Sequence, residues 1–306
     1  MKKLLTGAMA VATAMAAYAV QMEYRFVEAN GCKVFYREAG DKAKPTILLL
    51  HGFPSASHMY RELIADLADD FHLVAPDMPG FGQTVYPDGF PHTFDALART
   101  VEAFTDALGM KSYALYLFDY GAPVGFRLAM WHPERVTAIV SQNGNMYDEG
   151  LGPKWAARRE YWKAPTPELR KQYASAYALD TIIGQYTFGT PPGSVGPDGY
   201  TLDFAYVNLP GRAAFRDDLI FDYQANVALY PKFQQYLRDR KPPLLAVWGK
   251  NDPSFIPPGA EAFKRELPDA EVHFVDSGHF ALESHHAEIA ALMRNFLKPI
   301  FKEDKQ

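Results

Sequence analysis

The strongest constraint on this chain is a series of short, unbroken apolar runs alternating with stretches of helical periodicity. Thr46–Leu50 (TILLL), Tyr113–Phe118 (YALYLF) and Leu244–Trp248 (LLAVW) are too short for helices and have no polar face. They read as strands buried on both sides. Cys32–Glu38, Phe71–Ala75, Val136–Ser141 and Glu271–Val275 read as further strands. Between them, Tyr60–Leu67 is helical, and residues 94–108 place Phe94, Leu97, Val101, Phe104 and Leu108 on one helical face. A helix-like run ends at Trp131, another lies near Gly259–Leu267, and a last helix is expected over Ser284–Phe301. Buried strands alternating with helices imply an α/β fold: a mostly parallel sheet with helices on both faces.

The alternation breaks between residues 145 and 230. That stretch is rich in Trp, Tyr, Pro and Gly, including Trp155, Tyr161, Trp162, Tyr173, Tyr177, Tyr186 and the turn-rich Thr190–Gly199. It divides the sheet into a first part, residues 20–144, and a second, residues 231–306. An aromatic insertion there reads as a helical lid over the carboxyl ends of the strands; the alternative is a helical subdomain with no part in binding.

With 306 residues, 48% of them hydrophobic, the chain is long enough for one full core and an elaboration. A net charge of −5 without a basic stripe argues against a nucleic-acid partner. Cys32 is the only cysteine, which excludes an intramolecular disulfide. Lys2 and Lys3 followed by the uncharged, Ala-rich run Leu4–Val20 and the small residues of Ala17-Tyr18-Ala19 read as an export signal, residues 1–19. A periplasmic or secreted protein, with no membrane association after cleavage, is the expectation; a weak membrane anchor or a terminal helix is the alternative.

Open α/β sheets bind ligands at the carboxyl ends of their strands. Four such ends carry reactive or turn-forming residues: His51-Gly52-Phe53-Pro54, Phe118-Asp119-Tyr120-Gly121, Gly249-Lys250-Asn251-Asp252 and Ser277-Gly278-His279. With the Asp77-Met78-Pro79-Gly80-Phe81-Gly82 loop, these segments resemble, in order and context, the α/β-hydrolase superfamily over nearly all of the mature chain. No G-x-S-x-G occurs, so the resemblance is to the branch with an aspartate nucleophile, which includes epoxide hydrolases and haloalkane dehalogenases.

The resemblance implies that Asp119 attacks a saturated carbon to form an ester and that His279 activates the water that hydrolyses it. Asp252 would hold the imidazole, and the backbone N–H groups of Phe53 and Tyr120 would form the oxyanion hole. Read without the resemblance, Asp119 is a helix N-cap, His279 a structural histidine and Asp252 a turn former. Of the other histidines, His51 resembles a loop-shaping residue, while His58, His72, His92 and His132 are expected on helices or surface loops. Superfamily members often carry Gly two positions before the nucleophile; Leu117 stands here, which implies a less tightly turned elbow.

The auxiliary residues separate the subclasses. Haloalkane dehalogenases hold halide with a Trp after the nucleophile and an Asn or second Trp, where this chain resembles them only with Tyr120 and Phe53. Fluoroacetate dehalogenases place Arg after the nucleophile and take their acid from an earlier strand, where only Asn143 and Asn145 stand. Epoxide hydrolases use two lid tyrosines as donors to the opening ring oxygen. Phe221-Asp222-Tyr223-Gln224 resembles their second lid segment, which implies that role for Tyr223; Tyr186 is the expected first donor, with Tyr161, Tyr173 and Tyr177 as rivals. Epoxide hydrolysis of a small apolar substrate, without cofactor or metal, is the resulting expectation. Dehalogenation, ester or lactone hydrolysis, and non-catalytic binding of an apolar ligand are the alternatives.

Overall fold

The computed structural model describes residues 21–303, so the expected export signal lies outside the described residues. Eight strands form one sheet: β1 Glu23–Ala29, β2 Cys32–Ala39, β3 Thr46–Leu50, β4 His72–Pro76, β5 Tyr113–Phe118, β6 Val136–Gln142, β7 Leu244–Gly249 and β8 Glu271–Val275. Their spatial order is β1-β2-β4-β3-β5-β6-β7-β8. The β1–β2 and β2–β4 pairs are antiparallel and the rest parallel. This is the α/β-hydrolase fold expected from the sequence.

The runs read as doubly buried are so: every residue of β4, β5 and β7 is buried, as is β3 after its first. Strand β1 carries no such signal, because it is a partly exposed edge strand in which Tyr24 and Phe26 alternate with charged residues. It joins β2 through Asn30-Gly31, both with positive φ (50° and 74°), as a two-residue hairpin turn requires.

Helices α1 Arg61–Leu67, α2 Phe94–Ala107 and α3 Gly121–Trp131 belong to the first half of the sheet. Helix α2 starts where Thr93 accepts a hydrogen bond from the Ala96 N–H, and its buried face is the one the apolar spacing marks. The insertion holds α4 Trp155–Lys163, α5 Pro167–Gln172, α6 Leu179–Thr187, α7 Asp198–Val207 and most of α8 Arg212–Arg240. Because α8 continues past residue 230, the expected boundary there falls inside one helix.

After β7, two short helices, α9 Pro258–Glu261 and α10 Phe263–Glu266, replace the single expected one. The last helix, α11 Leu282–Glu303, begins two residues early and kinks at His285. Of the histidines expected on helices or surface loops, His58 does lie on a short helix, Ser57–Tyr60, while His72 opens strand β4; both are buried. His72 is wedged between Thr46 and Glu38, and His58 lies 2.9 Å from Asp203 of α7. Burial there is tolerated because a carboxylate faces each ring.

Candidate active site

The site is assembled at the carboxyl ends of β3, β5, β6, β7 and β8. Strand β5 turns into α3 at Asp119, a non-glycine residue with φ of +46°. The turn is tight despite Leu117, contrary to the looser elbow expected. Leu117 pairs with Leu50 inside the sheet, and the closeness is carried by glycines further along. A Cβ at Gly121 would overlap the Leu50 carbonyl, one at Gly125 the Leu117 side chain, and one at Gly52 Asp119 itself. A strained, buried carboxylate projecting from such a turn is over-determined by its surroundings.

One Asp119 oxygen, Oδ1, accepts the Phe53 N–H at 2.7 Å; Oδ2 lies 3.6 Å from His279 Nε2. The other ring nitrogen, Nδ1, is 2.6 Å from Asp252 Oδ2. Asp119, His279 and Asp252, named from the sequence at three separate strand ends, are thus brought together, and none is more than 7% exposed. Of the two expected oxyanion donors, only Phe53 donates to the Asp119 carboxylate here. Phe118, Phe255 and Phe280 surround the imidazole with ring centroids 4.8 to 5.9 Å away.

Burial by itself would lower the His279 pKa, but the Asp252 and Asp119 carboxylates outweigh it and raise the value to about 10. The two carboxylates thus favour the protonated ring.

Asn143 supports the acid, a role the sequence reading missed. Its Nδ2 donates to Asp252 Oδ2 at 2.8 Å, while its Oδ1 accepts from Gly249 N and Gln142 Nε2. The Ser254 N–H occupies the other Asp252 oxygen at 2.7 Å. The available signal was an Asn-Gly pair at the end of β6, a pattern that suits a residue with positive φ; Asn143 has φ of +48°.

A cavity of about 370 Å³ opens in front of Asp119 and His279. Its buried part is aromatic, lined by Phe53, Tyr120, Trp155 and Phe255. Toward the surface it is lined from the insertion by Lys154, Arg158, Gln172, Tyr173, Thr181 and Gln185. The expected tyrosine donors are not both there. Tyr186 is turned away: its ring stacks on Phe280, and its hydroxyl donates to Asp203 at 2.5 Å. Fully buried, it is captured by a carboxylate of α7 that the linear sequence does not place near it.

Tyr223 is also absent from the cavity wall. Its ring packs behind those of Trp155 (4.5 Å) and Tyr120 (5.6 Å), and its hydroxyl lies 3.4 Å from that of Tyr230. Of the rivals, Tyr177 donates to Asp217 and Tyr161 is buried beside Tyr173. Tyr173 is the one that lines the cavity. Burial raises the phenol pKa of both Tyr120 and Tyr173, so both are neutral donors at pH 7.

The family model described as alpha/beta hydrolase fold matches residues 45–179. An uncharacterized hydrolase of Saccharomyces cerevisiae is 48% identical over 85% of this chain and 92% of its own length. The chain belongs to the α/β-hydrolase family. This α/β-hydrolase is also 28% identical to haloalkane dehalogenase 2 of Mycobacterium tuberculosis, over 77% of the chain and 80% of the relative. The crystal structure of an epoxide hydrolase from Vigna radiata superposes with a TM-score of 0.69 at 23% identity, over 91% of this chain and 98% of the other. That likeness is one of fold.

Proposed function

We propose that this α/β-hydrolase attacks its substrate with the Asp119 carboxylate, forms an ester and hydrolyses it with water activated by His279, and that its substrates are epoxides. The observation that carries the reading is the double engagement of the Asp119 carboxylate at the cavity. One oxygen sits on a backbone N–H where an ester carbonyl would need it, and the other faces the imidazole.

The charge balance supports the same sequence of steps. Two carboxylates hold the His279 proton in the resting site. Esterification removes the Asp119 charge and with it part of that hold, so the imidazolium can give its proton to the alkoxide or phenolate left by ring opening, and the neutral ring is then free to take one from water. Asp252, fixed by Asn143 and Ser254, keeps the ring oriented and balances its charge when it takes the proton.

Ring opening needs a proton donor for the departing oxygen, and the neutral phenols of Tyr120 and Tyr173 stand on the cavity wall. A halide would need polarised N–H donors instead. Among the described residues Trp155 is the only tryptophan lining this cavity, and its indole N–H is already donated to the Ser254 carbonyl at 2.9 Å. Phe53, at the position where dehalogenases supply a donor, has no side-chain N–H.

A parallel screen of epoxides, haloalkanes and activated esters tests the reading. Diol formation without halide release is expected, and Asp119→Asn abolishes it. Halide release from haloalkanes with epoxides untouched would replace this reading by dehalogenation.

A further inference from the structure

The mouth of the cavity carries positive charge that the reaction does not use. Arg158, on α4, is half-buried with its guanidinium 4.3 Å from the centre of the Trp155 ring, and it lines the same cavity as Asp119. Lys154, one turn earlier, lines it as well. Neighbouring cations of the insertion have acidic partners: Arg159 pairs with Asp148 at 2.6 Å, Lys163 with Glu160 at 2.8 Å and Arg170 with Asp218 at 2.7 Å. Among the described residues, no carboxylate oxygen lies within 4.0 Å of Arg158 or Lys154. The charge of Arg158 also reaches inward, where it offsets part of the upward push that burial gives the Tyr120 and Tyr173 phenols.

We propose that Arg158, with Lys154 beside it, binds an anionic group of the substrate, so that the molecule opened at Asp119 carries a carboxylate at the end of an apolar body. The cavity is polarised to suit such a molecule. Among the described residues Asp119 is the only carboxylate on its wall, and it faces the imidazole at the buried end, while both cations stand toward solvent. A carboxylate-bearing substrate entering without a cation would be repelled by Asp119. Arg158 supplies the counter-charge, and its planar fork of donors matches a carboxylate with two parallel hydrogen bonds. Stacking on Trp155 restricts the guanidinium before binding, which reduces the ordering that binding demands. The aromatic residues between the two ends would hold the intervening chain.

The choice of epoxide as the reacting group rests on the proposed function; the anion site does not. The test compares a terminal epoxide of a medium-chain carboxylic acid with the corresponding primary amide. The wild-type protein is expected to favour the acid in kcat/KM by about tenfold, which corresponds to about 1.4 kcal/mol. Added salt should erode that preference. Arg158→Gln should bring the ratio toward one, and Arg158→Lys should keep part of it.

Calorimetric binding of the saturated acid and its amide to the full chain requires no turnover. Tighter binding of the acid by wild type, lost in Arg158→Gln, supports the site even if no epoxide reacts; in that event the epoxide reading fails and the anion site stands. Equal binding and equal kcat/KM for acid and amide in wild type overturn the proposal. So does a preference for the acid that Arg158→Gln leaves unchanged.

Discussion

At the scale of single residues, the site depends on one imidazole shared by two carboxylates. Burial works against the charged ring, yet Asp252 at 2.6 Å and Asp119 at 3.6 Å raise its pKa to about 10. In the unfolded chain the same group titrates near 6.5, so its protonation favours the folded state. That contribution is complete below about pH 6.5 and is lost as the pH rises through about 10. Denaturant midpoints followed from neutral to alkaline pH should therefore fall more steeply for the wild type than for His279→Gln. Parallel profiles would mean that the ring is not held as an imidazolium in the folded protein. Strand-end position is what makes Asp119, Asp252 and His279 legible in the sequence, because a parallel sheet collects its carboxyl-terminal turns in one place. Asn143 is harder to find, since nothing local distinguishes an asparagine that braces an acid from one that merely forms a turn.

At the scale of elements, the cap is joined to the core through α8. Phe215 packs into a cluster with Tyr86, Phe90 and His92, its ring centroid 4.5 to 6.2 Å from theirs. It rests on Gly80, where a Cβ would overlap its ring. Two turns further along, Asp222 accepts the Phe94 N–H at 2.7 Å and so satisfies an orphan donor at the start of α2. The segment Phe221–Gln224 thus has a structural use that the sequence comparison could not reveal. Phe215→Ala should cost about 3–5 kcal/mol in equilibrium denaturation, as expected for emptying a buried aromatic site. A loss below about 1 kcal/mol would show that the cluster does not hold the cap. The core elements are legible because burial on both faces leaves an unbroken apolar run. The cap is not legible in the same way: the direction of each tyrosine depends on which helix docks beside it. Tyr186 turns to Asp203, Tyr177 to Asp217, and Tyr173 lines the cavity.

At the scale of the whole molecule, the sheet supplies a rigid platform and the insertion supplies the walls. Asp119, Asp252 and His279 stand at the strand ends, where small shifts are resisted by paired neighbours and by glycines with no room to spare. The outer cavity wall comes from Trp155, Arg158, Tyr173 and Gln185, on helices and turns inserted between the two halves. This division explains why the fold and the candidate site can be read together from the strand ends while the cavity wall is set by the cap. The central claim is that Asp119 itself bonds to substrate carbon. A single turnover in heavy-oxygen water, with protein in excess over epoxide, followed by mass analysis of the peptide containing residue 119, tests it directly. Heavy oxygen in the Asp119 carboxylate and unlabelled diol are the expected result; labelled diol with Asp119 unlabelled after confirmed turnover would contradict it.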